Sequence, residues 1–170
     1  MSIDYSEDRL IQKSAAELME TELGWTSVYA YDKEVLGENG TLGRNSFHEV
    51  LLTQRFRLAL KKLNPWINDK QIAEAIERMT EHMSSQTLMQ INEQKYQFIR
   101  DGIPVTRIKQ DGTSEEIKAV VIDFENADNN DFLCVRELWV YGALYRRRAD
   151  IVGFVNGIPL LFVELKNHNV

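Results

Sequence analysis

The sequence predicts a mixed α/β domain of the α+β type, with helices packed on a sheet of hairpin-connected strands. Three observations lead there. Up to about residue 100 the apolar residues recur mostly at helical spacing, and after Gly102 they change to strand spacing. Two strong hairpin signals, Asp111-Gly112 and Asn156-Gly157, punctuate the second half. The composition, 44% hydrophobic and 27% charged over 170 residues, is that of one globular domain with a core of its own.

In chain order, residues 7–23 read as a helix capped by Ser6. Glu7 and Asp8 sit at its positive end, Leu10, Ile11, Ala15, Leu18 and Met19 form its apolar stripe, and Gly24 stops it. The β-branched and aromatic run 26–31 predicts a strand. Residues 33–46 hold Gly37, Gly40 and Gly43 without periodicity, so they form a loop, ordered or flexible. Helices are expected over about 46–63 and 69–83, with Asn64-Pro65 as punctuation and Asp69 as cap. Ile72, Ile76, Met79 and Met83 share one face of the second and read as core. A further helix is expected over 86–99. Strands follow over 103–110, 116–125, 132–141, 149–155 and 158–166.

Charge and composition remove several function classes. The single cysteine, Cys134, rules out a disulfide framework or a CxxC zinc site and reads as a core residue. No apolar run nears the roughly 18 residues needed to span a bilayer. The first ten residues contain Asp4, Glu7 and Asp8 and no apolar block, so a cytoplasmic protein with no membrane partner is expected. A net charge of −6 argues against nucleic-acid binding by bulk electrostatics alone. Its distribution is uneven, however, with a balance of +2 from Cys134 onward and −8 before it. His48, His82 and His168 are scattered and match no zinc spacing.

The chemistry concentrates in the last hairpin, where Asp150, Glu164 and Lys166 interrupt two apolar strands. An ionised carboxylate there costs several kcal/mol without a partner, and two close carboxylates repel. A divalent cation relieves both difficulties, and Mg²⁺ suits one or two carboxylates with positions left for phosphate oxygens. Glu164 and Lys166, two apart, share a strand face. A two-residue turn at Asn156-Gly157 with no irregularity would set Asp150 opposite Val163. A three-residue loop or a bulge would set it opposite Glu164, and the metal chemistry requires this second register. The other reading of the spacing is an exposed edge strand with a cross-strand ion pair, which the apolar context disfavours.

The segment RADIVGFVNGIPLLFVELKN, residues 148–167, resembles the nuclease signature of the restriction (R) subunit of type I restriction–modification enzymes, members of the PD-(D/E)xK nuclease superfamily. LGW at 23–25, TLGRNSFHEVLL at 41–52, ALKKLNP at 59–65, FIRDGIPV at 98–105 and NDFLCVRELWVYG at 130–142 are similar to further blocks of that family. The resemblance implies a restriction-endonuclease-like core, a mixed sheet flanked by helices. It spans one N-terminal endonuclease domain over 1–170, with a helical insert at about 46–92 and the nuclease sheet at about 103–166. It also implies that Asp150 and Glu164 hold Mg²⁺ and that Lys166 is the catalytic lysine. The Leu165 carbonyl is a further candidate ligand. Glu7 is the candidate acidic residue from the first helix, with simple helix-dipole complementarity as its other reading. Arg146, Arg147 and Arg148 are expected to clamp DNA backbone phosphates, or to form a solvated turn. Where the family pattern has proline, Ala149 stands here.

The implied activity is cleavage of unmodified foreign double-stranded DNA after ATP-driven translocation, alongside methyltransferase and specificity subunits. No phosphate-binding GxxxxGK[ST] loop occurs in the sequence. ATP would therefore be bound by motor domains outside these residues. The sequence is expected to be an N-terminal fragment, weakly active or inactive when isolated. Two other readings stand beside this one: another nuclease of the superfamily, such as a junction resolvase, and a non-catalytic module docking on the methyltransferase core.

Overall fold

The computed structural model describes residues 7–81 and 85–165. It divides into two compact units, Met1–Leu52 with Asp131–Val170, and Thr53–Asn130. The expected α+β class is realised.

The first unit is built on a four-stranded mixed sheet in the order β1-β4-β5-β6. Its strands are β1 (Thr26–Tyr29), β4 (Phe132–Tyr141), β5 (Arg146–Val155) and β6 (Ile158–Val163). β1 runs parallel to β4, and the remaining pairs are antiparallel. Helix α1 (Glu7–Leu23) ends at Gly24, whose φ of 68° is left-handed. It covers one face of the sheet, where Ala16, Cys134 and Ile151 pack with Ala15, Met19, Trp25 and Val163. Burial there raises the Cys134 thiol pKa, as befits a core cysteine. The buried face of α1 differs from the expected stripe: Ile11 and Leu18 are exposed, whereas Gln12 and Ala16 are buried. Small residues let the helix approach the sheet closely. Ser6, the expected cap, lies outside the described residues.

The opposite sheet face is covered by the irregular segment between β1 and residue 52. Ala30, Leu42 and Leu52 pack there on Leu133, Val135, Leu138, Ala149, Val152 and Phe154. This segment is ordered by Arg44, which is 1% exposed. Its guanidinium donates to both Glu34 carboxylate oxygens at 2.6 and 2.7 Å, to the Glu49 carbonyl at 3.1 Å and to the Trp139 carbonyl at 2.7 Å. Residues 46–52 are not helical, contrary to expectation. They bury Leu51 and Leu52 in an irregular path, and the Leu52 N–H donates to the Gly157 carbonyl at 2.9 Å.

The second unit holds α2 (Thr53–Leu63), α3 (Asp69–Thr80), α4 (Leu88–Asp101) and the hairpin β2 (Ile103–Ile108)–β3 (Ser114–Ala119). The cap of α3 is Asn68, not Asp69, in a reciprocal capping box with Gln71. Asn64 is buried and acts as a clip. Its side chain donates to the Leu60 and Val120 carbonyls at 3.0 and 2.7 Å and accepts from the Val120 N–H at 2.8 Å. Ile72 lies in the unit's core, while Met83 lies outside the described residues. The β2–β3 hairpin forms its own two-stranded sheet and does not join the first unit's sheet. The insert therefore spans 53–130, longer than the expected 46–92, and the sheet expected over 103–166 is formed instead by β1, β4, β5 and β6.

Candidate functional site

The site is set by the β5–β6 hairpin. Asn156 and Gly157 have φ of 53° and 81°, the two left-handed positions of a type I′ turn. The Asn156 side chain accepts from the Asp131 N–H at 2.7 Å, and its backbone N–H donates to the Asp131 carbonyl at 2.8 Å. From this two-residue turn, Val155 pairs with Ile158 and Phe154 with Pro159. The register then shifts at Gly153/Phe154, so that Gly153 pairs with Leu161 and Ile151 with Val163. Leu160 is the extra residue of the bulge. A Cβ on Gly153 would lie 2.9 Å from both the Leu161 Cβ and the Trp25 ring, so this close approach requires glycine.

The bulge carries the two carboxylates together. Continued one step beyond the last pair, Ile151–Val163, this register sets Asp150 opposite Glu164, the arrangement expected of a bulged hairpin. The Leu165 backbone N–H donates to Asp150 Oδ2 at 2.6 Å, which fixes the carboxylate across the end of β6. Both carboxylates line an open groove of about 1050 Å³. Asp150 is half-buried and Glu164 exposed. β6 is more open than its apolar sequence suggests: Leu160, Leu161 and Phe162 are 48%, 38% and 65% exposed. It is the last strand of the described sheet, and no described strand pairs with its outer edge.

Arg146, Arg147 and Arg148 lie in β5, not in a turn, and line the same groove. Each guanidinium rests on an aromatic ring: Arg146 on Tyr141 at 4.8 Å, Arg147 on Tyr145 at 6.0 Å and Arg148 on Tyr31 at 5.1 Å. Lys166 lies outside the described residues, and so does the side chain of Glu7, the first residue of α1. Among the described residues no three His, Cys, Asp or Glu side chains gather around a common point. The described carboxylates of the site are thus a pair, Asp150 and Glu164.

A neighbour of the site escaped the sequence reading. Glu137, in the middle of β4, has a φ of 58°. Arg136 pairs with Ile151 and Leu138 with Ala149, so Glu137 stands across from Asp150, but these two make no ladder pair. Side chains facing one side of a strand should be an even number of residues apart. Here Val135 and Leu138 of β4, and Ala149 and Val152 of β5, all enter the same core cluster, three apart on each strand. The pleat therefore changes parity at Glu137 and Asp150 together. A charged residue amid FLCVRELWVY carries no sequence signal for this, because its conformation is left-handed without being glycine.

Residues 4–170 match the family model described as the type I restriction enzyme R protein N terminus. The HindI endonuclease subunit of a type I restriction enzyme from Haemophilus influenzae is 32% identical over 146 residues, covering 85% of this chain and 14% of that protein. A protein named as the MjaIXP endonuclease subunit, from Methanocaldococcus jannaschii, is 27% identical over 165 residues, covering 95% of this chain and 15% of that protein. The chain thus spans about a seventh of the length of these relatives. Through the match across nearly all of its residues, the chain belongs to the family of type I restriction enzyme R protein N termini.

Proposed function

We propose that the chain is the Mg²⁺-dependent endonuclease part of a type I restriction R subunit, cutting unmodified double-stranded DNA. The observation that carries this reading is the bulged register of β5 and β6, which brings Asp150 and Glu164 together on a groove lined by three arginines. The donor chemistry fits. Two carboxylates open to solvent offer hard oxygen ligands while leaving coordination positions for water and phosphate. Asp150 and Glu164 would hold the ion. What such an ion supplies is Lewis-acid polarisation of the scissile phosphate and a nucleophile at neutral pH.

The protein's own groups do the rest. The Leu165 N–H holds Asp150 in one orientation, so little reorganisation remains when substrate arrives. Lys166, next in sequence, orients the attacking water and offsets negative charge gathering on the phosphoryl oxygens, as a compact ammonium can. Arg146, Arg147 and Arg148 position the DNA backbone, a contact that carries no sequence information. ATP-driven translocation belongs to motor domains of the R subunit outside these residues, and target recognition to a specificity subunit alongside methyltransferase subunits, in a cytoplasmic assembly.

The test uses the complete R subunit assembled with its partner subunits on unmethylated circular DNA. Glu164→Gln and Lys166→Ala are each expected to lower strand cleavage by at least about 100-fold, the scale of losing one preorganised charged group. Cleavage at the wild-type rate in both would sink the reading and leave a docking module.

A further inference from the structure

Glu137 does three unusual things at once. It is a non-glycine residue in the left-handed region within a strand, a conformation that side chains rarely adopt. Its carboxylate is 11% exposed and meets the Arg148 Nε at 2.6 Å. The contact is ionic in geometry rather than an aligned hydrogen bond, for Glu137 Oε2 is buried without a hydrogen-bond partner. Strain and a buried charge at one position are features that cluster at working sites.

Its position says what the work is. Glu137 stands across from Asp150, at the one place where the β4–β5 ladder skips a pair. On its other side Asp150 lies beyond the last ladder pair of β6, Ile151–Val163. Asp150 thus lacks a ladder pair on both flanks, and its carboxylate is held at the groove by the Leu165 N–H instead. Arg148 pairs with Trp139 in the ladder and lies over the Trp139 ring at 5.8 Å and the Tyr31 ring at 5.1 Å. The rings fix the plane of the guanidinium, and Glu137 fixes its Nε edge. That leaves the remaining N–H groups of a side chain 39% exposed for a ligand in the groove. A planar fork held this way suits a phosphate.

We infer that Glu137 is a positioning residue of the nuclease site, holding the Arg148 guanidinium toward the scissile phosphate while its left-handed backbone opens the sheet at Asp150. The inference rests on the nuclease reading of Asp150 and Glu164 and assigns a role outside that pair.

The experiment follows single-turnover cleavage of unmethylated circular DNA by the complete R subunit in its assembly, with ATP consumption as the control for folding and assembly. Glu137→Gln, which keeps shape and removes charge, is expected to slow cleavage about tenfold, with ATP consumption and the Mg²⁺ midpoint unchanged. Arg148→Ala should slow it to a similar degree, and the double variant should be no slower than the worse single one. Glu137→Asp, which restores the charge and tolerates the left-handed backbone, should recover most of the rate. Wild-type cleavage in Glu137→Gln, or multiplicative losses in the double variant, would overturn the inference. So would a shifted Mg²⁺ midpoint, since that would mean general distortion of the carboxylates. Asp150→Ala in the same series separates the two readings. If it still cuts, the nuclease reading falls; if it is dead while Glu137→Gln cuts at the wild-type rate, only the positioning role falls.

Discussion

Arg44 brings a guanidinium to 1% exposure, and four acceptors hold it there: two from Glu34 and the carbonyls of Glu49 and Trp139. It closes the segment 34–49 on itself and ties it to β4. Removing one partner of such a pair strands the other charge, at a cost of about 3–5 kcal/mol. Arg44→Ala is therefore expected to lower the unfolding free energy by that amount, read from denaturant melts. A loss below about 1 kcal/mol would mean that the segment is held by Leu42 and Leu52 alone. None of this was legible in the sequence. Arg44 sits in a glycine-bearing stretch without periodicity, and one of its acceptors is 95 residues away. The carboxylates Asp150 and Glu164 were legible for the opposite reason: a charge in an apolar strand is conspicuous and needs a partner.

At the level of elements, the last hairpin was largely readable. Asn156-Gly157 announces its turn, and the chemistry of two carboxylates demands a bulge that the pairing of Gly153 with Leu161 provides. The bulge depends on Gly153, where the Trp25 ring, just before β1, leaves no room for a methyl group. Gly153→Ala is expected to destabilise the chain by about 1–3 kcal/mol through overpacking. It should also depress cleavage in the assembled enzyme, because relief of the clash shifts β6 against Asp150. Unchanged unfolding and cleavage would show that the bulge accommodates a side chain. The buried face of α1 was less legible. Ala15 and Met19 of the expected stripe do meet the sheet, but Ile11 and Leu18 face outward, because helical spacing alone did not reveal that the buried face runs through Gln12 and Ala16. The exposure of β6 was hidden likewise, since apolar sequence does not distinguish a central strand from an edge.

Over the whole chain, the sequence order and the spatial order diverge. The strands that follow one another from 103 to 166 do not form one sheet; 53–130 is a compact unit with its own hairpin, and β1 joins β4 from far upstream. Local periodicity reports what each segment is, and pairing across 100 residues is a tertiary choice that it does not encode. The family's blocks, in contrast, fall in both units, so the resemblance reached further than the topology reading did.

The proposed division of labour has the β5–β6 carboxylates cut DNA while energy coupling lies elsewhere. Its most direct test compares wild type and Asp150→Ala in the assembled enzyme on unmethylated circular DNA with ATP and Mg²⁺, following cleavage and ATP consumption in one reaction. Cleavage is expected to be lost while ATP consumption continues. Cleavage that survives undiminished would contradict it and make the two carboxylates structural.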